Sequence, residues 1–130
     1  MSGYALVTIH PMPGAPRRYY AEVASTPEEQ AQGLAGRDSL PGTGGMLFPF
    51  DPPRIQSFWM RNTRVALDIV WISPNMLVVG VERMDPQSEA PHVPAVPVAF
   101  ALELLGGQAG RDGIRPGSVV SVERPASSEF

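Results

Sequence analysis

Residues 58–63 are the stretch whose residue types are best suited to hold a polar ligand. They combine two aromatic residues and a methionine with Arg61, Asn62 and Thr63, which supply a cation, an amide and a hydroxyl in a row. An arginine can bind a carboxylate or phosphate through two parallel hydrogen bonds. Trp59 can stack on a ring or on the face of a sugar. The pattern predicts a site for a small anionic or sugar-like ligand.

A simpler interpretation of the same residues remains open. Asn62 and Thr63 are also common in turns, where their side chains bond to the nearby backbone. Trp59 would equally suit a hydrophobic core.

Two acidic residues, Asp68 and Glu103, interrupt otherwise apolar strands. In a catalytic interpretation they are the general acid or base of a small hydrolase or lyase, and Arg61 stabilises negative charge. In a structural interpretation they form buried pairs, Arg61–Asp68 or Arg37–Glu103, and the function lies on a surface for a protein partner. The simplest alternative places both carboxylates on a solvent-facing side of the sheet.

Composition argues against several classes of protein. The absence of cysteine excludes disulfides and thiol catalysis, and only two histidines, His10 and His92, are present, so we predict no metal site. We also expect no cofactor, because the glycine-rich segment 41–45 lacks the spacing of a phosphate-binding loop. The net charge is −3 and the ten cations, all arginines, are spread along the chain, which argues against nucleic acid as a partner.

The sequence gives two indications about membranes and location. Charged residues interrupt the longest apolar runs, so we expect no membrane span. No signal peptide is recognisable, so the chain is expected to be cytoplasmic, or periplasmic or extracytoplasmic if an N-terminal segment has been removed.

The pattern of apolar residues predicts a mainly β protein in one domain, residues 1–130, with a frayed tail at 124–130. Thr26, Pro27 and Glu29 predict the start of one short helix near 26–36. Tight turns between consecutive strands favour a mostly antiparallel sheet curled into a small barrel or cradle. About eight short strands are predicted, at residues 4–10, 18–24, 46–48, 54–60, 65–72, 76–83, 98–105 and 118–123. A proline-rich loop is expected at 85–97.

Several motifs follow one another in the order and spacing of a known family. They are Gly45-Met46-Leu47-Phe48, the block at 58–63, Leu67-Asp68-Ile69, Leu102-Glu103-Leu104, and Gly113-Ile114 with Gly117. In these motifs the chain resembles the domain of unknown function 192 family, also called uncharacterised protein family 0127, over about residues 18–123. The resemblance implies a small bacterial or archaeal β-domain of unestablished role, often preceded by a signal peptide or lipid anchor. It also implies a shared site formed by Arg37, Trp59, Arg61, Asn62, Thr63, Asp68 and Glu103.

Overall fold

A curled sheet of seven strands dominates the computed structural model, which describes residues 3–40 and 44–124. The strands are β1 (Tyr4–His10), β2 (Arg17–Val23), β3 (Gly44–Arg54), β4 (Leu67–Ile72), β5 (Val78–Met84), β6 (Val98–Leu105) and β7 (Val119–Glu123), and the helices are α1 (Pro27–Gln32) and α2 (Gln108–Arg111). Their order in the sheet is β5-β4-β6-β3-β2-β1-β7. Only the β2–β3 pair of this sheet is parallel.

The two outer strands of the sheet approach each other. Leu77, just before β5, forms an isolated antiparallel bridge with Val119 at the start of β7. The sheet is therefore curled into a half-barrel, and the predicted mainly β fold is confirmed.

The segment 54–60 differs from its prediction as a strand. Arg54 ends β3, and from residue 55 onward the chain crosses one face of the sheet, making a single strand-like bridge between Phe58 and His92. Conversely, β3 is longer than predicted and runs through Pro52 and Pro53. Prolines are tolerated there because the register of β3 against β6 shifts between Pro49 and Arg54, so that stretch needs no regular ladder.

The start of α1 follows from local sequence. The Glu29 amide donates to the Thr26 hydroxyl at 3.1 Å, and the Glu29 carboxylate accepts from the Thr26 amide at 3.2 Å. This is the predicted capping box. The helix is shorter than the predicted 26–36 because Gly33, with φ of +51°, ends it.

Both faces of the central strands are buried. One hydrophobic core lies inside the curl and includes Val7, Leu47 and Leu102. The second core lies on the opposite face of β3, β4 and β6 and includes Phe48 and Ile69. All six residues of β4 are buried as a result.

Leu34 and Leu40, which follow α1, and Phe58, Met60 and Val65 of the segment 55–66 pack on this second core. The segment 55–66 has no regular secondary structure, and neither does the segment 85–97. The two segments are joined by backbone hydrogen bonds. Phe58 and His92 exchange two of them, at 2.9 and 2.7 Å, and the amide of Met60 donates to the carbonyl of Ser88 at 3.0 Å. The predicted loop at 85–97 therefore acts as a brace for residues 55–66. Of the tail predicted at 124–130, all but Arg124 lies outside the described residues.

Candidate functional site

A cavity of about 430 Å³ lies between α1, β3 and the crossing segment. Four of the predicted site residues line it, namely Trp59, Arg61, Thr63 and Glu103. Their positions are set by two different elements, because the first three belong to residues 55–66 and the last belongs to β6. The structure therefore brings together residues that are about forty positions apart in the chain.

Glu103 is the most unusual residue in this cavity. It faces the second core and pairs across the sheet with Met46 of β3 and Ile69 of β4, which are both apolar. Only 4% of the residue is exposed, and its carboxyl has no hydrogen bond or ion pair within the described part of the chain. Burial raises the pKa of Glu103 to about 8. At neutral pH the group is therefore a neutral carboxylic acid that can both donate and accept a hydrogen bond.

Aromatic rings form the apolar part of the cavity wall. Phe58 meets Phe48 edge to face, with ring centres 4.9 Å apart, and meets Trp71 at 5.5 Å. Both phenylalanines line the cavity. Trp59 is half exposed, so it does not belong to the core. The interpretation of Trp59 as a core residue is wrong.

Arg61 lies at the mouth of the cavity beside Trp59. Its guanidinium carbon is 4.2 Å from the centre of the Trp59 ring. The same guanidinium forms an ion pair with Glu89, at 2.9 Å. Arg61 is thus held by the bracing segment 85–97 and by stacking.

Arg54 and Gln30 also line the cavity, although they belong to none of the motifs in the sequence. The Gln30 amide donates to the carbonyls of Ala24 and Pro49, at 3.0 and 2.9 Å. Its oxygen then accepts a hydrogen bond from Arg54 Nη2 at 3.2 Å. One signal was available, because Gln30 occupies the otherwise apolar face of α1, where a polar side chain needs partners.

Asp68 is buried but lies away from the cavity, on the face of the sheet opposite Glu103. Neighbouring residues of a strand point to opposite faces, and it is Ile69, not Asp68, that pairs with Glu103. The Asp68 carboxylate accepts from Arg83 Nε at 2.9 Å and from the amides of Gly107 and Ala109, at 2.9 and 3.0 Å. It therefore binds the first turn of α2, and the predicted solvent-facing position is wrong for both carboxylates. The two also cannot act together as an acid–base pair.

Arg37 and Asn62 also do not line the cavity. Arg37 forms a two-pronged ion pair with Glu22 on β2. Asn62 occupies a turn, with φ of +60°, and its carbonyl accepts from the Gly36 amide at 2.8 Å. Asn62 therefore lies in a turn, but the predicted bond from its side chain to the nearby backbone is not found in the described chain. The predicted pairs Arg61–Asp68 and Arg37–Glu103 are wrong. Arg61 pairs with Glu89, Asp68 with Arg83 and Arg37 with Glu22.

Two further observations concern the described residues, 3–40 and 44–124. No three histidine, aspartate or glutamate side chains among them come together as metal ligands would. No helix among them is long and apolar enough to cross a membrane.

Comparison with known proteins places this chain in a family. The model of DUF192, described as an uncharacterised ACR, matches residues 8–122. The chain belongs to the DUF192 family. This confirms the resemblance seen in the motifs, and the match includes part of β1 as well.

Two solved structures are similar to this DUF192 chain. A protein of unknown function from Novosphingobium aromaticivorans DSM 12444 is 36% identical, with a TM-score of 0.87, over 91% of this chain and 84% of that chain. A protein from Sinorhizobium meliloti 1021, described as a candidate transcription regulator, is 31% identical, with a TM-score of 0.89, over 93% of this chain and 95% of that chain. None of the curated proteins matches.

Proposed function

We propose that this DUF192 protein is a binding module and that the cavity beside Glu103 holds a small sugar-like ligand. The observation that carries the proposal is the buried Glu103 carboxyl without a hydrogen-bond partner in the described chain. Glu103 lines the cavity, so its carboxyl is open to an occupant of the cavity. A ligand with hydroxyl groups can exchange hydrogen bonds with this carboxyl, which supports a polar occupant.

The chemistry of the cavity wall supports a hydroxylated ligand. A neutral carboxylic acid can accept a hydrogen bond from one hydroxyl and donate to another. The Thr63 hydroxyl and the Gln56 amide add further polar groups, and Phe58 and Trp59 offer aromatic surface. A sugar has this combination, because its hydroxyl groups surround a ring with a less polar face. The proposed site thus keeps Trp59, Arg61, Thr63 and Glu103, and adds Gln56 and Phe58.

The alternatives receive less support from the contacts. The stabilising network predicted around Arg61 is absent, because this side chain pairs with an exposed glutamate at the surface. A hydrolase or lyase using paired carboxylates is not favoured, because Glu103 is the only acidic residue among the described residues that line the cavity.

We also propose that nucleic acid is not the ligand, although the Sinorhizobium meliloti relative is described as a candidate transcription regulator. The formal net charge of this chain is −3. Arg37, Arg61, Arg64 and Arg83 each pair with a carboxylate, which reduces the charge available to phosphates. A gel-shift titration with duplex DNA is expected to show no salt-dependent binding, and such binding would overturn this part of the proposal.

The binding proposal is tested by a thermal-shift panel of neutral sugars and polyols, including glucose, galactose, ribose and myo-inositol. A ligand at about one hundred times its Kd stabilises the fold by about 2.7 kcal/mol, a shift of several degrees for a domain of this size. The shift should disappear in Glu103→Leu, which replaces the carboxyl with an apolar side chain. Glu123→Leu, which changes an exposed residue of β7, should keep it.

Two results would overturn the binding proposal. The first is that no sugar or polyol shifts the melting temperature. The second is an equal shift in the wild type and in Glu103→Leu, because binding would then occur elsewhere on the protein.

A further inference from the structure

The structure assigns Arg54 as an anion-binding residue of the cavity, so that the ligand carries a carboxylate or phosphate group in addition to its sugar-like part. This inference rests on the proposed function and narrows its ligand to acidic sugars. It comes from the position of Arg54, from the groups that hold it, and from the absence of a carboxylate partner in the described chain.

The Arg54 guanidinium is held in a fixed orientation. Both N–H groups of the Gln30 amide are directed to backbone carbonyls, of Ala24 and Pro49, so its oxygen faces Arg54 Nη2. Arg54 Nε donates to Gln56 Oε1 at 3.0 Å. A guanidinium that is already oriented loses less conformational freedom when it binds a ligand.

The same guanidinium keeps free donors. Of its five N–H groups, the two described above donate to neutral amide oxygens, and none within the described chain donates to a carboxylate. Its carbon lies 4.7 Å from the centre of the Phe50 ring, which covers one face of the plane. The remaining N–H groups lie on the edge of the plane, where a carboxylate or phosphate can bind through two parallel hydrogen bonds.

Arg54 differs from Arg61, the other arginine of the cavity, in that its charge is not neutralised by a carboxylate of the described chain. Arg61 is neutralised by Glu89 at 2.9 Å, whereas Arg54 is bonded only to uncharged groups. The only described acidic residue lining the cavity is Glu103, whose carboxyl is uncharged at neutral pH. The cavity therefore carries positive charge that favours an anionic ligand.

A first experiment tests the anion site without any sugar. Inorganic phosphate, and separately acetate, is titrated into ¹⁵N-labelled protein while the Nε–H signals of the arginines are followed by NMR. We expect the Arg54 signal to move and saturate, and the signal of exposed Arg64 to move little. Arg64→Gln should leave the response of the Arg54 signal intact. An Arg54 signal that moves no more than that of Arg64 would overturn the inference.

A second experiment tests whether one ligand carries both the anion and the sugar. The affinities of glucose, glucuronate and glucose 6-phosphate are compared by calorimetry. One charge-assisted pair predicts that an acidic sugar binds at least about tenfold more tightly than glucose. Arg54→Gln should remove this preference, Arg54→Lys should restore part of it, and Arg64→Gln should not change it. Preference for glucuronate or for glucose 6-phosphate would identify a carboxylate or a phosphate as the anion.

Different results would contradict the anion inference and the proposed sugar-binding function. If glucose and both acidic sugars bind equally and Arg54→Gln changes nothing, the anion inference is wrong and the proposed sugar-binding function stands. If phosphate saturates the Arg54 signal but neither glucose nor an acidic sugar binds, the anion site stands and the proposed function is wrong.

Discussion

The Arg61 guanidinium and the Glu89 carboxylate form an ion pair at the protein surface, with 53% and 68% of their side chains exposed. Exposed pairs of this kind contribute about 0.2–1 kcal/mol, and stacking of a cation on an exposed ring adds about 0.5–1 kcal/mol. We therefore expect Arg61→Ala to lower the free energy of unfolding by about 1 kcal/mol, measured by urea denaturation. A loss of about 3 kcal/mol or more would instead indicate a buried network.

Asp68 should be far less tolerant of substitution. Asp68→Ala would leave two amides of the first turn of α2 and the Arg83 side chain without their shared acceptor. Each buried donor that is left without its acceptor costs about 1–3 kcal/mol, whereas Arg83, with 54% of its side chain exposed, can be hydrated. Asp38→Ala is the matched control, because Asp38 pairs with Arg64 at 2.8 Å while 78% of its side chain is exposed. Urea denaturation of both variants should give a large and a small loss, and equal losses would contradict this role for Asp68.

The stability of the protein should depend on pH through Glu103. Burial raises its pKa from 4.5 to about 8 in the folded protein, so the folded state keeps a proton that the unfolded chain has lost. Between these values the free energy of unfolding should fall by about 1.4 kcal/mol for each unit of rising pH, and this contribution should be constant outside the window.

Glu103→Gln isolates this effect, because the amide has a similar shape and does not titrate in this range. The measurement is urea denaturation of wild type and variant at several pH values between about 5 and 8. We expect the variant to gain stability relative to the wild type as the pH rises. Parallel curves for the two proteins would show that Glu103 titrates normally.

Gly45 should be required for the close approach of β3 to β6. A Cβ atom at this position would lie 2.7 Å from the Glu103 carbonyl oxygen. This oxygen belongs to the backbone, so the clash cannot be relieved by moving a side chain. Gly45→Ala is expected to cost about 1–3 kcal/mol in thermal or urea unfolding. Gly110→Ala is the control, since a Cβ at Gly110 meets no atom within 4 Å. The control should be neutral or slightly stabilising, because alanine is the better helix former.

Local patterns predicted the elements of the fold that depend on neighbouring residues. The capping box of Thr26 and Glu29 needs only four residues, and it was found as predicted. Strands such as β1 and β6 were recognisable because their apolar residues are continuous or alternate. The segment 54–60 differs from its prediction as a strand because Phe58 and Met60 pack on the second core without joining the sheet.

The surroundings of the two carboxylates could not be predicted from strand alternation. Alternation predicts one buried and one solvated face, whereas β4 and β6 are covered on both faces. Two of the three donors to Asp68 come from the start of α2, about forty residues later in the chain. The contact between Gln30 and Arg54 is likewise between distant residues, which no local spacing encodes.

The wall of the cavity has a consequence for how the family can change. Residues 55–64 are attached to the brace by main-chain bonds, such as those between Phe58 and His92 and from Gln87 to Thr63. Such bonds do not depend on which side chains the two segments carry, except where proline removes a donor. Exposed positions such as Trp59 and Arg61 can therefore diverge by mutation while the frame persists. Under the proposed binding function, related proteins can therefore change their ligand preference while they keep the same scaffold.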